Sequence, residues 1–146
     1  MDRIDLRVDV PPVAFTDLDL PASGDSSAAV AARVEAARDI QAARFAQMPG
    51  MRVNSDAEGQ ILEEIAAPDA DGKALLSRVA ERFGLTARGY HRILRVARTI
   101  ADLEGSEAVI TAHIAEAVSY RQMPSADEAP VKRAAPRSPA KSAAQC

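Results

Sequence analysis

The chain has 146 residues and a net charge of −3, which sets one domain as the ceiling, and 31 alanines pad its 47% hydrophobic share so that the core of large side chains is modest. With no Trp, three Phe and two Tyr, a deep aromatic-lined pocket is hard to build; no apolar run approaches the roughly 18 residues of a spanning helix, and the start MDRIDLRVDV has no signal-peptide core. Residues 1–122 sum to −5 and residues 123–146 to +2, which argues against a nonspecific nucleic-acid coat.

Residues 2–10 alternate, with Ile4, Leu6, Val8 and Val10 on one face and Asp5, Arg7 and Asp9 on the other, the pattern of a half-buried strand stopped by Pro11 and Pro12. No second such run follows. The strand must therefore pair with something outside this chain, pair with a second copy, or not form. Residues 13–25 are a connector rich in Asp, Pro, Ser and Gly. A helix entered at Ser26 or Ser27 is predicted to run to about Gln47, with Val30, Val34, Ala37, Gln41 and Phe45 near one stripe, and Met48-Pro49-Gly50 ends it. Ser55 with Glu58 fits a capping box for a second helix burying Ile61, Leu62 and Ile65. The third lies between Asp69 and Phe83, buries Leu75, Leu76, Val79 and Phe83, and ends at Gly84. Thr86 caps the fourth, which stops at Glu104-Gly105, and Thr111 caps the fifth, ending near Arg121. From Met123 the composition is Pro, Ala, Ser, Lys and Arg, so residues 123–146 are expected to be disordered. The expected fold is mainly α: a small bundle of about five helices over residues 26–122, with one short N-terminal strand and a tail.

The fourth helix carries the most chemistry. At 100° per residue, Tyr90, Ile93, Leu94, Val96, Ala97, Ile100 and Leu103 share one arc, while Arg88, Arg92 and Arg95 fall opposite with Arg98 on their flank. That stripe reads either as a solvated face or, with the tail cations Lys132, Arg133, Arg137 and Lys141, as the contact surface of a stand-alone DNA- or protein-binding module. Arg88 stands two positions after the cap, where free N–H groups and the helix dipole favour an anion and disfavour a cation. A bound phosphate would answer both. Arg3, between Asp2 and Asp5, is a surface ion pair unless a partner subunit meets it. No phosphate loop of the G-x-x-x-x-G-K-[ST] type occurs, so ATP hydrolysis by this chain through that route is not expected. His91 and His113 are the two histidines and Cys146 the one cysteine, so no metal site and no internal disulfide are expected. Asp69 and Asp71 before Gly72 fit an acid-rich helix start better than a calcium loop.

The stretch TARGYHRILRVARTIADLEGS, residues 86–106, within FGLTARGYHRILRVARTIADLEGSEAVITAHIAEAVSYR, closely resembles the C-terminal helical domain of magnesium-chelatase-like AAA+ ATPases of the ComM and YifB type. The resemblance extends upstream to DRIDLRVDVP, which looks like the last strand of that family's ATPase core. It implies a helical lid folded over a nucleotide held by that core. The family's sensor-2 arginine, which reaches the ATP γ-phosphate, falls on Arg88, and its arginine finger, acting in trans in a ring, falls on Arg3 within Asp2-Arg3-Ile4-Asp5-Leu6, with Met1 replacing the residue before. Walker A, Walker B and sensor 1 are missing, so the chain resembles the last third of a full member: a split gene product, a truncation or a fragment, not an enzyme on its own. The implied cofactor is ATP, with Mg in the missing core. The implied partners are that core, neighbouring subunits of a ring (a hexamer in the family) and DNA, with no membrane. The implied parent is a cytoplasmic, transformation-associated DNA-processing motor.

Overall fold

The computed structural model describes residues 4–10, 12 and 24–121; Arg3, most of the 13–25 connector and the tail from 122 lie outside the described residues. Five helices follow in order: α1 (Ser27–Phe45), α2 (Gly59–Ile65), α3 (Ala70–Phe83), α4 (Ala87–Leu103) and α5 (Thr111–Ser119), with a 3-10 turn at Asn54–Asp56. The mainly α bundle read from the sequence is the fold observed.

Local chemistry sets the helix ends. The Ser26 hydroxyl accepts from the Ala29 N–H, Thr86 from Gly89 and the Asp69 carboxylate from Gly72, each satisfying a first-turn donor. Gly84 ends α3 in the left-handed region at φ 59°, which glycine enters without a Cβ clash. Asp69 serves twice. Its second oxygen accepts from the Thr111 N–H, and the Thr111 hydroxyl donates to the first, so one carboxylate holds the starts of α3 and α5. An isolated parallel bridge between Pro68 and Val109 lies beside it. These hydrogen bonds, led by that from the Gly72 N–H, hold the Asp69 carboxyl below its ordinary range.

α4 is the central element and packs against α1, α2 and α5, while α3 packs on α5. Ile93, Leu94, Ala97, Ile100 and Ala101 from α4 meet Phe45, Leu62, Leu76, Val109 and Ile114 in one core. Because neighbours surround it, α4 buries Arg92, Arg98 and Asp102 as well as its apolar arc.

Four expectations are corrected. The run from Ile4 to Val10 forms no strand: no ladder partner exists among the described residues, and its four apolar side chains are exposed. Ser55 and Glu58 form no capping box, because Ser55 lies inside the 3-10 turn and α2 is entered three residues later. Glu58 is the N-cap of α2 without a side-chain bond, and the Asp56 carboxylate instead accepts from the Arg52 and Val53 N–H groups. Thr111 is the first helical residue of α5 and Ile110 its cap. On α1 the buried stripe begins at Ala37, and Val30 and Val34 are exposed; Leu103 of α4 is exposed as well, and Val34 and Leu103 line one open cavity between the two helices.

Candidate anion site at the start of the fourth helix

Arg88 is exposed in the first turn of α4. The Thr86 hydroxyl takes the Gly89 N–H at 3.1 Å and the Thr86 carbonyl takes the Tyr90 N–H at 2.9 Å, so the N–H groups of Ala87 and Arg88 have no acceptor within the helix. The first turn carries no acidic residue. The positive end of the helix dipole, two N–H groups without an acceptor in the helix and an exposed arginine thus belong to one turn, the chemistry of a candidate anion site.

Two further segments close around this turn. The Arg121 guanidinium at the end of α5 donates to the Gly89 carbonyl at 3.1 Å, and it lies so near that a Cβ on residue 89 would stand 2.9 Å from it. The N-terminal segment crosses the same seam: the Arg7 N–H donates to the Tyr120 carbonyl at 2.8 Å, and Arg92 Nε meets the Asp5 carboxylate at 2.9 Å. Arg92 is 9% exposed, and its Nη1 is buried with no acceptor among the described residues.

The outward arginine stripe is not what the structure contains. Arg95 donates to the Ala57 carbonyl at 3.0 Å. Arg98 is 2% exposed: its guanidinium binds the carbonyls of Ser106 and Glu107 and the Asp102 carboxylate, tying the loop after α4 to the helix. Periodicity put these cations outside, but packing on several sides of α4 encloses them. Of the four arginines, Arg88 is the one whose side chain is exposed, so Arg92, Arg95 and Arg98 do not form the solvent-facing stripe that DNA contact would require.

A second polar feature escaped the sequence reading. The Asp102 carboxylate accepts from Arg44, Arg98 and the Asn54 amide, and Gln41 accepts the Asn54 N–H. Burial pushes the Asp102 carboxyl up, but the Arg44 and Asn54 hydrogen bonds and the charges of Arg98 and Arg44 outweigh it and hold the group below its ordinary range. For Arg98, burial is the stronger influence and lowers it. The signal was present as an Arg98/Asp102 pair at i,i+4 spacing. A cavity of about 250 Å³ opens beside this network, lined by Val34, Gln41, Asn54, Thr99 and Leu103 among others. Thr99 lies eleven residues beyond Arg88, about 17 Å along the helix axis, so the cavity is separate from the candidate anion site.

The class defined by this fold and site is a small helical domain that presents a cation at an open helix start. The chain belongs to the magnesium chelatase subunit ChlI C-terminal family, whose model matches residues 24–121. It is 34% identical over 124 residues to the competence protein ComM of Haemophilus influenzae, and 36% over 122 residues to the YifB protein of Salmonella typhimurium. These alignments cover 84% and 83% of the chain but 23% of each relative, so the chain spans just under a quarter of their length. Among the described residues, no helix is long and apolar enough to cross a membrane.

Proposed function

We propose that this domain is the sensor-2 lid of a magnesium-chelatase-like AAA+ ATPase, with Arg88 reaching the γ-phosphate of ATP held by the ATPase core. The observation that carries the reading is the exposed Arg88 in a first turn with open N–H groups and no acid. A triphosphate fits there, since it supplies the anion that the helix start lacks and accepts bidentate hydrogen bonds from the guanidinium. No group of three or more possible metal ligands occurs among the described residues, so in this reading the core holds the Mg. ATP supplies the phosphoryl group and the energy; this domain's part is to bind its terminal phosphate and move with it.

The alternating segment through Ile4, Leu6, Val8 and Val10 suits an added strand on the edge of that core, where its exposed apolar side chains would be covered. Arg3, at the head of that segment, is then the arginine finger that stabilises transferred charge in the neighbouring subunit of a ring. The chain takes no catalytic step by itself. With a relative named as a competence protein, the parent activity in this reading is DNA processing linked to transformation, carried out in the cytoplasm.

The test mixes the full chain with an ATPase core of the same family prepared without its own lid. ATP hydrolysis should be restored by the chain and lost with Arg88→Ala. A mixture that stays inactive at saturating chain overturns the proposal.

A further inference from the structure

We propose that Arg92 is a positioning residue: by gripping Asp5 it fixes residues 4–10 to α4, so that a strand of the ATPase core paired with the open side of that segment carries the fourth helix with it. The inference rests on the lid reading for the partner and adds how core and lid are coupled.

The segment sits on the bundle with its polar side inward. Asp5 Oδ1 meets Arg92 Nε at 2.9 Å, the Arg7 N–H donates to the Tyr120 carbonyl at 2.8 Å, and Arg7 is the one part-buried residue between 4 and 10. Ile4, Leu6, Val8 and Val10 are instead 50–84% exposed, the reverse of ordinary amphipathic burial. Consecutive residues of an extended run turn their backbone groups to opposite sides. Arg7 spends its N–H on the end of α5, whereas the N–H groups of Leu6 and Val8 have no acceptor among the described residues. An apolar face, open donors beside it and a stop at Pro11 and Pro12 are what an edge strand offers to a partner strand.

The occupant is a strand of the core. More than three quarters of the relatives' length lies beyond what this chain matches, and a core that also holds the nucleotide at Arg88 gains a second point of contact. A second copy is the poorer fit, because four aliphatic side chains fall well short of the roughly 800 Å² per partner of a stable dimer.

The two members of the ion pair are unequal. The Arg92 side chain is 10% exposed and enclosed by the packing of α4, whereas Asp5 is 49% exposed. The guanidinium is therefore the fixed point and the segment is what it holds. That point lies one turn beyond Arg88, so a displacement of the segment reaches the turn that carries the sensor-2 candidate.

Two measurements test this without ATP. Binding of the full chain to a family core that ends before this strand should weaken at least tenfold with Leu6→Asp or Val8→Asp; unchanged binding, or self-association of the chain alone that these variants abolish, overturns the core as occupant. Amide exchange at Arg7 in the full chain should speed several-fold in Asp5→Asn and in Arg92→Gln, and no further in the double variant. Unchanged or additive effects overturn the clamp; should Arg92→Gln not fold, Arg92→Lys takes its place. In the reconstituted ATPase, Asp5→Asn should raise KM for ATP about tenfold with core binding and melting temperature kept, whereas an unmoved KM rejects the positioning role. Arg88→Gln separates the readings: if it leaves ATP hydrolysis untouched, the sensor-2 assignment fails, while core binding and Arg7 exchange still decide the clamp.

Discussion

The Arg44 guanidinium in the last turn of α1 clasps the Asp102 carboxylate in the last turn of α4, a pairing across 58 residues of sequence in which Asp102 is almost wholly enclosed. Arg98 and the Asn54 amide complete its coordination, so a negative charge sits inside the bundle with its acceptors filled. Such a group stabilises strongly only as a complete set, because removing one member leaves the others buried and unmatched.

Asp102→Asn should therefore destabilise the domain by about 3–5 kcal/mol, since Arg98 and Arg44 would face each other with no intervening anion. Chemical denaturation of the full chain measures it. A loss below about 1 kcal/mol would mean that water enters and rescues the two guanidinium groups.

The same carboxylate sets an acid limit. Its folded value is depressed, so its contribution is full above the unfolded value, near pH 4, and is lost as pH falls through the lower folded value. Stability of the native chain should fall in that acid window. In Asp102→Asn the part of the slope due to this group should vanish, as thermal melts between pH 2 and 6 would show.

Gly72 is buried against the shared cap. A Cβ there would stand 2.7 Å from Asp69 Oδ1, 3.2 Å from the Pro68 Cβ and 3.3 Å from the Ile114 Cγ1, so the neighbours must shift. Gly72→Ala should cost about 1–3 kcal/mol even though alanine is the better helix former. A stabilised variant would show that the Asp69 side chain can move away without loss.

Arg88→Ala removes an exposed cation from the positive end of a helix, where it gains nothing from the dipole. The melting temperature of the full chain should be unchanged or slightly raised at low ionic strength, while reconstituted ATP hydrolysis is lost. A clear drop in melting temperature would show that Arg88 is held by the fold.

The starts of α1, α3 and α4 and the stop of α3 were legible because each is set by local chemistry: Ser26, Asp69 and Thr86 accept the N–H groups their positions imply, and Gly84 ends α3 with the positive φ expected of it. What local chemistry does not fix was missed. Arg98 and Asp102 look like surface residues until α1, α2 and α5 are all packed on α4, since periodicity assigns polar groups to the outside. The alternation in residues 4–10 is real, but a strand is a relation between two segments, and the described residues supply no second one. Likewise the apolar stripe of α1 continues past the surface it packs on, which no pattern within α1 can reveal. Arg88 was legible as a candidate because its oddity, a cation in a first turn, is local. The contacts of Arg92 with Asp5 and of Arg121 with Gly89 were not, as they join parts of the chain distant in sequence.

The single carboxylate of Asp69 shared by α3 and α5 has a consequence for how the domain comes apart. Fraying the first turn of α5 releases the Thr111 N–H and hydroxyl and weakens the hold on the carboxylate that caps α3; fraying α3 does the reverse. The two helices thus share one local unfolding step in place of two, and with Val109 bridged to Pro68 beside them they open as a single cooperative unit.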